Sequence, residues 1–295
     1  MANFCKKSMV LFLLVASFLI SSCCSATRLK KFDHPTKDNG NLRYLVVGDW
    51  GRKGDYNQSV VALQMGRIGD KLDIDFVVST GDNFYDNGLT GEDDPKFLQS
   101  FTNVYTEKSL QKQWYSGEKI DSRWLCLRSF LINAKLLKYS WWIQFPLLKT
   151  TSHTYDWRNV MPQKTYTENA LNNALSESTT KWKIVVGPHA IRSVGHHGDT
   201  KELVDHLYMN GHDHCLEHIS DNESPIQFLT SGAGSKAWRG DVKGLNREGV
   251  NFFYDGQGFM SVQLTPTHVE TEFYDVFGKV LHKWSRSKQL LHTVI

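Results

Sequence analysis

Short apolar runs that stop at polar, glycine-rich turns recur in the first third of the chain. Residues 44–47 form such a run, which Gly48-Asp49-Trp50-Gly51 follows, and residues 74–78 form another, which leads to Gly81-Asp82-Asn83-Phe84-Tyr85. Between them, four apolar residues recur at the three- and four-residue spacing of one helix face: Val61, Met65, Ile68 and Leu72. Strand, helix and strand in this order predict a parallel pair with a right-handed crossover.

The ends of these two strands are where functional residues are expected. Ligands bind at the carboxyl ends of parallel strands, so we expect Asp49 and Asp82 to lie side by side. A third apolar run, residues 207–209, leads in the same way into Asn210-Gly211-His212-Asp213-His214. The three turns therefore become the candidates for a common site.

The pattern also predicts elements farther from these turns. Three apolar residues at helical spacing indicate a helix: Phe97, Phe101 and Val104. Asp94 and Pro95 precede it and are suited to its start. The other predicted elements are a helix from Thr167 to about Ser176 and strands at residues 184–186, 227–230, 259–264, 269–273 and 279–284.

The composition is that of an ordinary globular chain. Of the 295 residues, 40% are hydrophobic and 22% are charged, and the formal net charge is +3. These values exclude disorder, collagen and a coiled coil as the main state, and the length suits one large domain or two smaller ones. Because lysine and arginine are scattered, the charge does not indicate nucleic-acid binding.

The N-terminus has the residue order of a secretory signal. Two lysines precede an apolar run, residues 9–20, and small residues follow up to Ala26. We therefore expect residues 1–26 to be removed on secretion and residues 27–295 to form the mature domain, outside the cell or in the vacuole. An uncleaved anchor is the alternative. No later stretch reaches the roughly 18 uninterrupted apolar residues of a membrane span.

Secretion bears on the cysteines and on glycosylation. Cys126 and Cys215 would remain in the mature chain, in an oxidising compartment where they can pair. Pairing also needs a bridging distance, which the sequence leaves open. Residues 57–59 (Asn-Gln-Ser) and 222–224 (Asn-Glu-Ser) fit the acceptor sequence for N-glycosylation.

One stretch, residues 122–155, contains no aspartate or glutamate. Five basic residues lie in it: Arg123, Arg128, Lys135, Lys138 and Lys149. Buried strands are apolar and poor in charge, so a pair of them is one interpretation. The other is that this sequence does not belong to the original fold.

Five residues in the glycine-rich turns form a candidate metal site: Asp49, Asp82, Tyr85, His212 and His214. Carboxylate and phenolate oxygens are hard donors suited to ferric iron, and imidazoles suit iron, zinc or manganese. His212 and His214 point the same way in an extended segment. A carboxylate such as Asp82 can bridge two ions that clamp a phosphoryl group. Each turn alone is typical of an ordinary loop, but three in order, each after a strand, favour a metal centre.

The same three motifs resemble those of a known family. They are similar to three of the five metal motifs of the purple acid phosphatases, within the calcineurin-like metallophosphoesterases, and resemble the small plant type related to mammalian tartrate-resistant acid phosphatase. The resemblance extends to residues 182–186, 193–198, 231–238 and 254–261. It implies an α/β fold, a β-sandwich flanked by helices, which is incomplete here.

The resemblance implies a role for each matching residue. Asp49, Tyr85 and His214 would hold a ferric ion. Asp82 would bridge it to a second divalent ion, Zn, Mn or Fe, held partly by His212. Tyrosinate-to-iron charge transfer would give a purple colour, and hydroxide formed at the ferric ion would attack a phosphate monoester. The expected partners are phosphate monoesters, with no nucleic acid and, after signal removal, no membrane; the oligomeric state is left open.

His197 is a further candidate. It lies in Gly195-His196-His197-Gly198, at the position of a family histidine that orients the substrate or protonates the leaving group. The alternative is an exposed loop histidine with no role in the reaction.

The third metal motif of the family is absent. A Gly-Asn-His segment should follow residues 112–115, yet the sequence continues with Ser116-Gly117-Glu118-Lys119-Ile120 and contains no Asn-His pair. An asparagine ligand of the divalent ion and a histidine near the substrate are therefore missing.

The fourth motif is altered. It should place a histidine after Gly187, where Pro188 stands, and the neighbouring His189 is displaced by one position. The second ion would keep only Asp82 and His212 of its expected protein ligands, whereas three are typical of catalytic zinc.

The chain also lacks segments expected from the family. A helix and loop are missing between Glu202 and Leu207, and residues 134–152 do not match the expected strand. We hypothesise exon skipping, a frame-shifted tract or a faulty gene prediction. Three interpretations compete: a secreted acid phosphatase, an impaired relative that keeps only the iron half-site, and a non-functional product of a truncated transcript.

Overall fold

The computed structural model describes residues 30–38, 40–91, 93–116, 124–126, 130–134, 182–187, 207–220, 226–240, 242 and 248–288. The chain divides into two compact units, Met1–Lys30 and Lys31–Ile295. The predicted signal segment and the helix predicted at residues 167–176 lie outside the described residues. In the part of the chain that the structure describes, no helix is long and apolar enough to cross a membrane.

Strands dominate the described residues. In chain order they are β1 (Lys30–His34), β2 (Leu42–Val47), β3 (Phe76–Ser79), β4 (Gln113–Ser116), β5 (Trp124–Cys126), β6 (Phe130–Ala134), β7 (Ile184–Val186), β8 (Leu207–Asn210), β9 (Leu216–Ser220), β10 (Gln227–Ser231), β11 (Val250–Tyr254), β12 (Gly258–Leu264), β13 (His268–Asp275) and β14 (Val280–Ser287). The helices are α1 (Gln58–Leu72), α2 (Pro95–Phe97), a π-helix (Leu98–Thr102) and a 3-10 helix (Lys108–Leu110).

The larger sheet has the strand order β14-β13-β12-β2-β3-β4-β5. β2 pairs parallel with β3, with Tyr44 opposite Phe76 and Val47 opposite Ser79. The strand, helix and strand predicted from the apolar pattern are therefore confirmed. β4 and β5 continue the parallel arrangement, and β12 pairs antiparallel with the other edge of β2.

The second sheet has the order β11-β9-β10-β8-β7. β8 lies between β7 and β10 and is parallel to both, so its carboxyl end is flanked by strands on each side. β9 and β11 complete the sheet in antiparallel pairing. A separate pair, β1 and β6, forms a two-stranded sheet.

Alternating residues of β2 contribute to two apolar cores, as the period of a strand requires. Val46 belongs to the same apolar core as Met209 and Leu229 of the second sheet, and this core joins the two sheets face to face. Val47 packs with Val61 of α1 in a core on the other side of the larger sheet. The chain thus has an α/β fold, a β-sandwich with a helix against one outer face.

Some elements differ from the sequence-based expectation. The helix predicted around Phe97 and Phe101 is irregular and ends at Thr102, although Asp94 caps its start by accepting a hydrogen bond from the Lys96 backbone nitrogen at 2.9 Å. The apolar pattern does not predict β1, β4, β9 or β11. In β9 the reason is physical, because polar residues occupy positions that are 1% exposed: Glu217 and His218.

Two further expectations concern β5, β6 and the cysteines. β5 and β6 lie in the acid-free stretch, and Ile132 of β6 is buried, whereas residues 135–155 lie outside the described residues. Cys215 is a buried free thiol, so the structure does not contain the disulfide considered between Cys126 and Cys215.

Candidate metal centre

Five predicted ligands come together beyond the carboxyl ends of three strands. Asp49 follows β2, Asp82 and Tyr85 follow β3, and His212 and His214 follow β8. The larger sheet supplies the first three residues and the second sheet supplies the two histidines. The centre therefore depends on the packing of one sheet against the other.

A chain of hydrogen bonds ties the turns together. The buried indole of Trp50 donates to Ser79 Oγ at 3.0 Å, and that hydroxyl donates to Asn83 Oδ1 at 2.5 Å. The amide of Asn83 donates to Ser116 Oγ at 2.8 Å. Ser116 is the last residue of β4, and the family's third motif would follow it. That motif would therefore begin next to a residue that is hydrogen-bonded to the turn after β3.

Three of the five residues have left-handed backbone conformations, with φ values of 58° at Asp49, 47° at Asp82 and 69° at His212. Non-glycine residues rarely adopt this region, which costs about 1–3 kcal/mol per residue and is found preferentially at functional sites. The surroundings hold Asp49 in place, because its N–H donates to the Gly81 carbonyl at 3.0 Å and its carbonyl accepts from Ser235 Oγ at 2.5 Å.

Gly211 allows the second sheet to approach the first closely. A Cβ atom at this position would lie 2.6 Å from both Asp49 Oδ2 and Thr80 Oγ1. Real Cβ contacts are not this short, so a side chain at Gly211 would push the β8 turn away from Asp49.

Asp49, Tyr85 and His214 direct three donor atoms at one another. Tyr85 Oη donates to Asp49 Oδ1 at 2.8 Å and lies 3.0 Å from His214 Nε2, which lies 3.3 Å from Asp49 Oδ1. Donors that bind one ion at about 2.1 Å, at right angles to each other, lie about 3 Å apart. The spacing of the three atoms therefore fits a single bound metal ion.

The electrostatics of Asp49 and Tyr85 favour a cation. Asp49 is fully buried, and burial raises the pKa of its carboxyl group, although the hydrogen bond with His214 opposes the shift. Burial also raises the pKa of Tyr85, and the neighbouring charges of Asp49 and Asp82 add to the effect. A cation bound between these groups would stabilise both anions.

Asp82 and His212 form a second, more open pair. Asp82 Oδ2 lies 2.9 Å from His212 Nδ1, and Asp49, Asp82 and His212 have potential ligand atoms within 4.8 Å of one another. Burial lowers the pKa of His212, but the hydrogen bond and charge of Asp82 outweigh it and leave that pKa above its usual value. His212 also joins the first group, since its backbone nitrogen donates to Asp49 Oδ2 at 2.7 Å.

Two residues that the sequence did not single out support His214. Its Nδ1 lies 2.5 Å from the Lys236 carbonyl oxygen, so Nδ1 carries a proton, and Nε2 is the ring nitrogen directed at Asp49 and Tyr85. The Trp238 ring stacks on the imidazole with a centroid distance of 3.9 Å and an interplanar angle of 10°. Trp238 is the last residue of segment 231–238, which resembles the family. This resemblance is the feature of the sequence that could have pointed to Trp238.

The other candidates lie outside the described residues, namely Pro188, His189 and His197. β7 ends immediately before Gly187, whose N–H donates to the Met209 carbonyl of β8 at 2.9 Å. The segment in which the fourth motif is altered therefore begins next to β8, the strand that the two histidines follow.

Sequence comparison identifies the family. Purple acid phosphatase 17 of Arabidopsis thaliana is 51% identical over 322 aligned positions, which cover 96% of this chain and 95% of that protein. The chain belongs to the purple acid phosphatase family. Purple acid phosphatase 3 of the same plant is 50% identical over 91% of this chain and 84% of that protein. Tartrate-resistant acid phosphatase type 5 of Oryctolagus cuniculus is 25% identical over 82% of this chain. No protein-family model matches the sequence.

The aligned length indicates how many residues of the relative have no counterpart in this chain. Of the 295 residues, 96% is about 283, so about 39 of the 322 aligned positions in purple acid phosphatase 17 have no residue from this chain. Inside the aligned region, this purple acid phosphatase therefore lacks residues that the relative has.

Solved structures show the fold. GAP50, described as the anchor in the inner membrane complex of Plasmodium, superimposes with a TM-score of 0.68 at 22% identity, over 86% of this chain and 90% of that one. PhoD superimposes with a TM-score of 0.50 at 11% identity, over 88% of this chain and 74% of that one. The chain therefore shares the fold of these two proteins.

Proposed function

We propose that this chain is a secreted acid phosphatase that hydrolyses phosphate monoesters, with Asp49, Tyr85 and His214 as the ligands of a ferric ion. The observation that carries the proposal is the mutual spacing of the three donor atoms, between 2.8 and 3.3 Å. The donor set, a carboxylate, a phenolate and an imidazole, is the chemistry that a hard trivalent ion requires.

The second ion would be divalent, Zn, Mn or Fe, and Asp82 and His212 would hold it. Support for this arrangement comes from the contact of Asp82 Oδ2 with His212 Nδ1 and from the closeness of both residues to Asp49. Because the sequence lacks the asparagine and histidine of the third motif and has Pro188 in the fourth, the second ion is held weakly. We expect phosphatase activity to depend on added divalent metal.

Bound together, the two ions supply Lewis acidity that polarises the phosphoryl group and activates water. The residues of the chain prepare this chemistry. On binding of a ferric ion, Tyr85 Oη would release to water the proton that it donates to Asp49, and the Lys236 carbonyl keeps the proton of His214 on Nδ1. The left-handed turn at Asp82 keeps its carboxylate at the open side of the centre. His197 would orient the ester or protonate the leaving oxygen.

Secretion and glycosylation belong to the same proposal. The signal at residues 1–26 would direct the chain outside the cell or to the vacuole, and residues 27–295 would be the mature domain. Asn57 is exposed at the start of α1, so a glycan can be attached there. We expect Asn57→Gln to lower the apparent mass of the secreted protein, as peptide-N-glycosidase treatment does.

A second candidate function is that of a relative that binds one ferric ion without turnover. The loss of two metal motifs favours it, because it removes ligands of the divalent ion and leaves the three ferric ligands in place. The two candidates differ in their response to divalent metal.

The test uses the full-length sequence secreted from a eukaryotic host. A chromogenic phosphate monoester is assayed at acidic pH, with and without added zinc or manganese, against a preparation of Tyr85→Phe. Activity that rises with the divalent ion and is lost in Tyr85→Phe supports the phosphatase. An iron-containing chain without activity under either condition contradicts it and supports the second candidate.

A further inference from the structure

Arg52 lies directly against the phenol ring of Tyr85. The Cζ atom of its guanidinium is 3.8 Å from the centroid of that ring and 5.4 Å from the centroid of the Tyr56 ring. A guanidinium within about 6 Å of a ring centroid is attracted to the electron-rich face of the ring. The short distance to Tyr85 makes this the stronger of the two contacts.

The position of Arg52 is set by its surroundings. Its Nη1 atom donates to Asp86 Oδ1 at 3.1 Å, and its backbone N–H donates to Gln58 Oε1 at 3.0 Å. Gln58 is fully buried, and its amide nitrogen donates to the Ser100 carbonyl at 2.7 Å. The start of α1 therefore fixes the backbone from which Arg52 reaches Tyr85.

The charge of Arg52 acts on Tyr85 more than on Asp86. The Arg52 side chain is 15% exposed, whereas that of its ion-pair partner Asp86 is 80% exposed. Water screens the charge of the exposed Asp86 carboxylate, whereas Arg52 and Tyr85 are both only partly exposed, so the effective dielectric constant between them is lower. A positive charge thus remains on one face of the proposed iron ligand.

We propose that Arg52 is a positioning residue for Tyr85 that holds the plane of the phenol ring and stabilises the electrons of the phenolate by its charge. The inference rests on the proposed function, since it concerns Tyr85 as a ligand of ferric iron. Groups around a metal ligand tune the electronic properties of the centre. Because the guanidinium lies against the ring, it lowers the energy of the ligand electrons and raises the energy of charge transfer from tyrosinate to iron.

The experiment compares the absorption maxima of secreted, iron-loaded, full-length variants. Arg52→Gln removes the charge, and Arg52→Lys keeps a charge without the planar group. Arg67→Gln is the matched control, because Arg67 is exposed on α1. The iron content of each preparation is measured on the same sample.

We expect Arg52→Gln to move the charge-transfer maximum to longer wavelength at an unchanged iron content, Arg52→Lys to move it less, and Arg67→Gln to leave it in place. If Arg52→Gln does not fold, Arg52→Lys carries the test with the same direction of shift. A maximum equal to that of Arg67→Gln, or a shift to shorter wavelength, overturns the role of Arg52.

The two proposals fail differently. A wild-type chain that binds no iron, or binds it without a charge-transfer band, contradicts the ferric site and the inference with it. A normal wild-type band that is unchanged in Arg52→Gln contradicts the role of Arg52 alone.

Discussion

The hydroxyl oxygen of Tyr85 lies 3.0 Å from Nε2 of His214, although 129 residues separate the two along the chain. Tyr85 follows a strand of the larger sheet and His214 follows a strand of the second sheet. Their contact therefore exists because the two sheets pack face to face through fully buried residues such as Val46 and Met209. The half of the centre proposed for iron is built by the core of the fold, whereas the missing motifs belong to other segments.

The first prediction concerns Tyr85 as an iron ligand. Tyr85→Phe removes the phenolic oxygen and keeps the ring, so we expect the purple colour to disappear and iron affinity to fall by at least about 10-fold. Absorption spectroscopy and iron analysis of the purified protein measure both. Tyr44→Phe is the control, because it makes the same change in the buried core. A purple, iron-containing Tyr85→Phe protein would rule out the assignment.

The second prediction concerns the close approach at Gly211. In Gly211→Ala the new Cβ would lie 2.6 Å from Asp49 Oδ2 and Thr80 Oγ1, so the turn must move. We expect iron to be lost and the free energy of unfolding to fall by about 1–3 kcal/mol. Gly91→Ala serves as the control, since its Cβ would meet nothing within 4 Å. Equal iron content and equal thermal midpoints in the two variants would contradict the geometry.

The third prediction concerns the pH dependence of stability at His218. Burial lowers the pKa of His218 from 6.5 to about 4 in the folded state, with the neighbouring His282 adding to the shift. Between pH 6.5 and about 4 the unfolded chain therefore binds a proton that the folded chain does not, and stability falls as the pH falls. The loss should reach about 3 kcal/mol near pH 4.

We expect His218→Gln to flatten this part of the pH profile, because the titrating group is gone while an amide can still meet Gln227. Denaturant unfolding at several pH values from 4 to 7 gives the slope. His268→Gln is the control, a histidine that is hydrogen-bonded to Ser287 at the edge of the larger sheet. If the slopes of the wild type and His218→Gln coincide, His218 is not the group responsible.

The fourth prediction concerns the altered fourth motif. Pro188→His restores one expected ligand, but the asparagine and histidine of the third motif remain absent. We therefore expect this substitution to leave phosphatase activity dependent on added divalent metal. The measurement is the activity of Pro188→His and wild type over a titration of zinc. Full activity of Pro188→His without added metal would show that the third motif is dispensable.

The sequence predicts the elements whose burial is regular. β2, α1 and β3 follow from apolar spacing because each buries one or both faces in an apolar core. β9 is not predicted, because it contains two buried polar residues, Glu217 and His218. Their polarity gives the segment the pattern of a loop. The five clustered residues are predicted from strand ends and motifs, and their role as ligands remains a prediction.

Contacts between distant residues could not be predicted in the same way. Trp238 stacks on His214, which lies in the turn after β8, 24 residues earlier in the chain. No rule of sequence spacing predicts this contact. Arg52 lies next to a motif, but its contact with Tyr85 depends on how Gln58 fixes the backbone. Both contacts arise from packing, which a period of apolar residues does not encode.

The decisive measurement of the proposed centre is metal analysis of the purified wild-type chain, made on the same sample as a phosphate monoester assay at acidic pH. We predict one iron per chain, a purple colour, and hydrolysis that increases as added divalent metal occupies the proposed site at Asp82 and His212. A chain without iron, or one whose iron-loaded form hydrolyses no ester at any concentration of divalent metal, would contradict it.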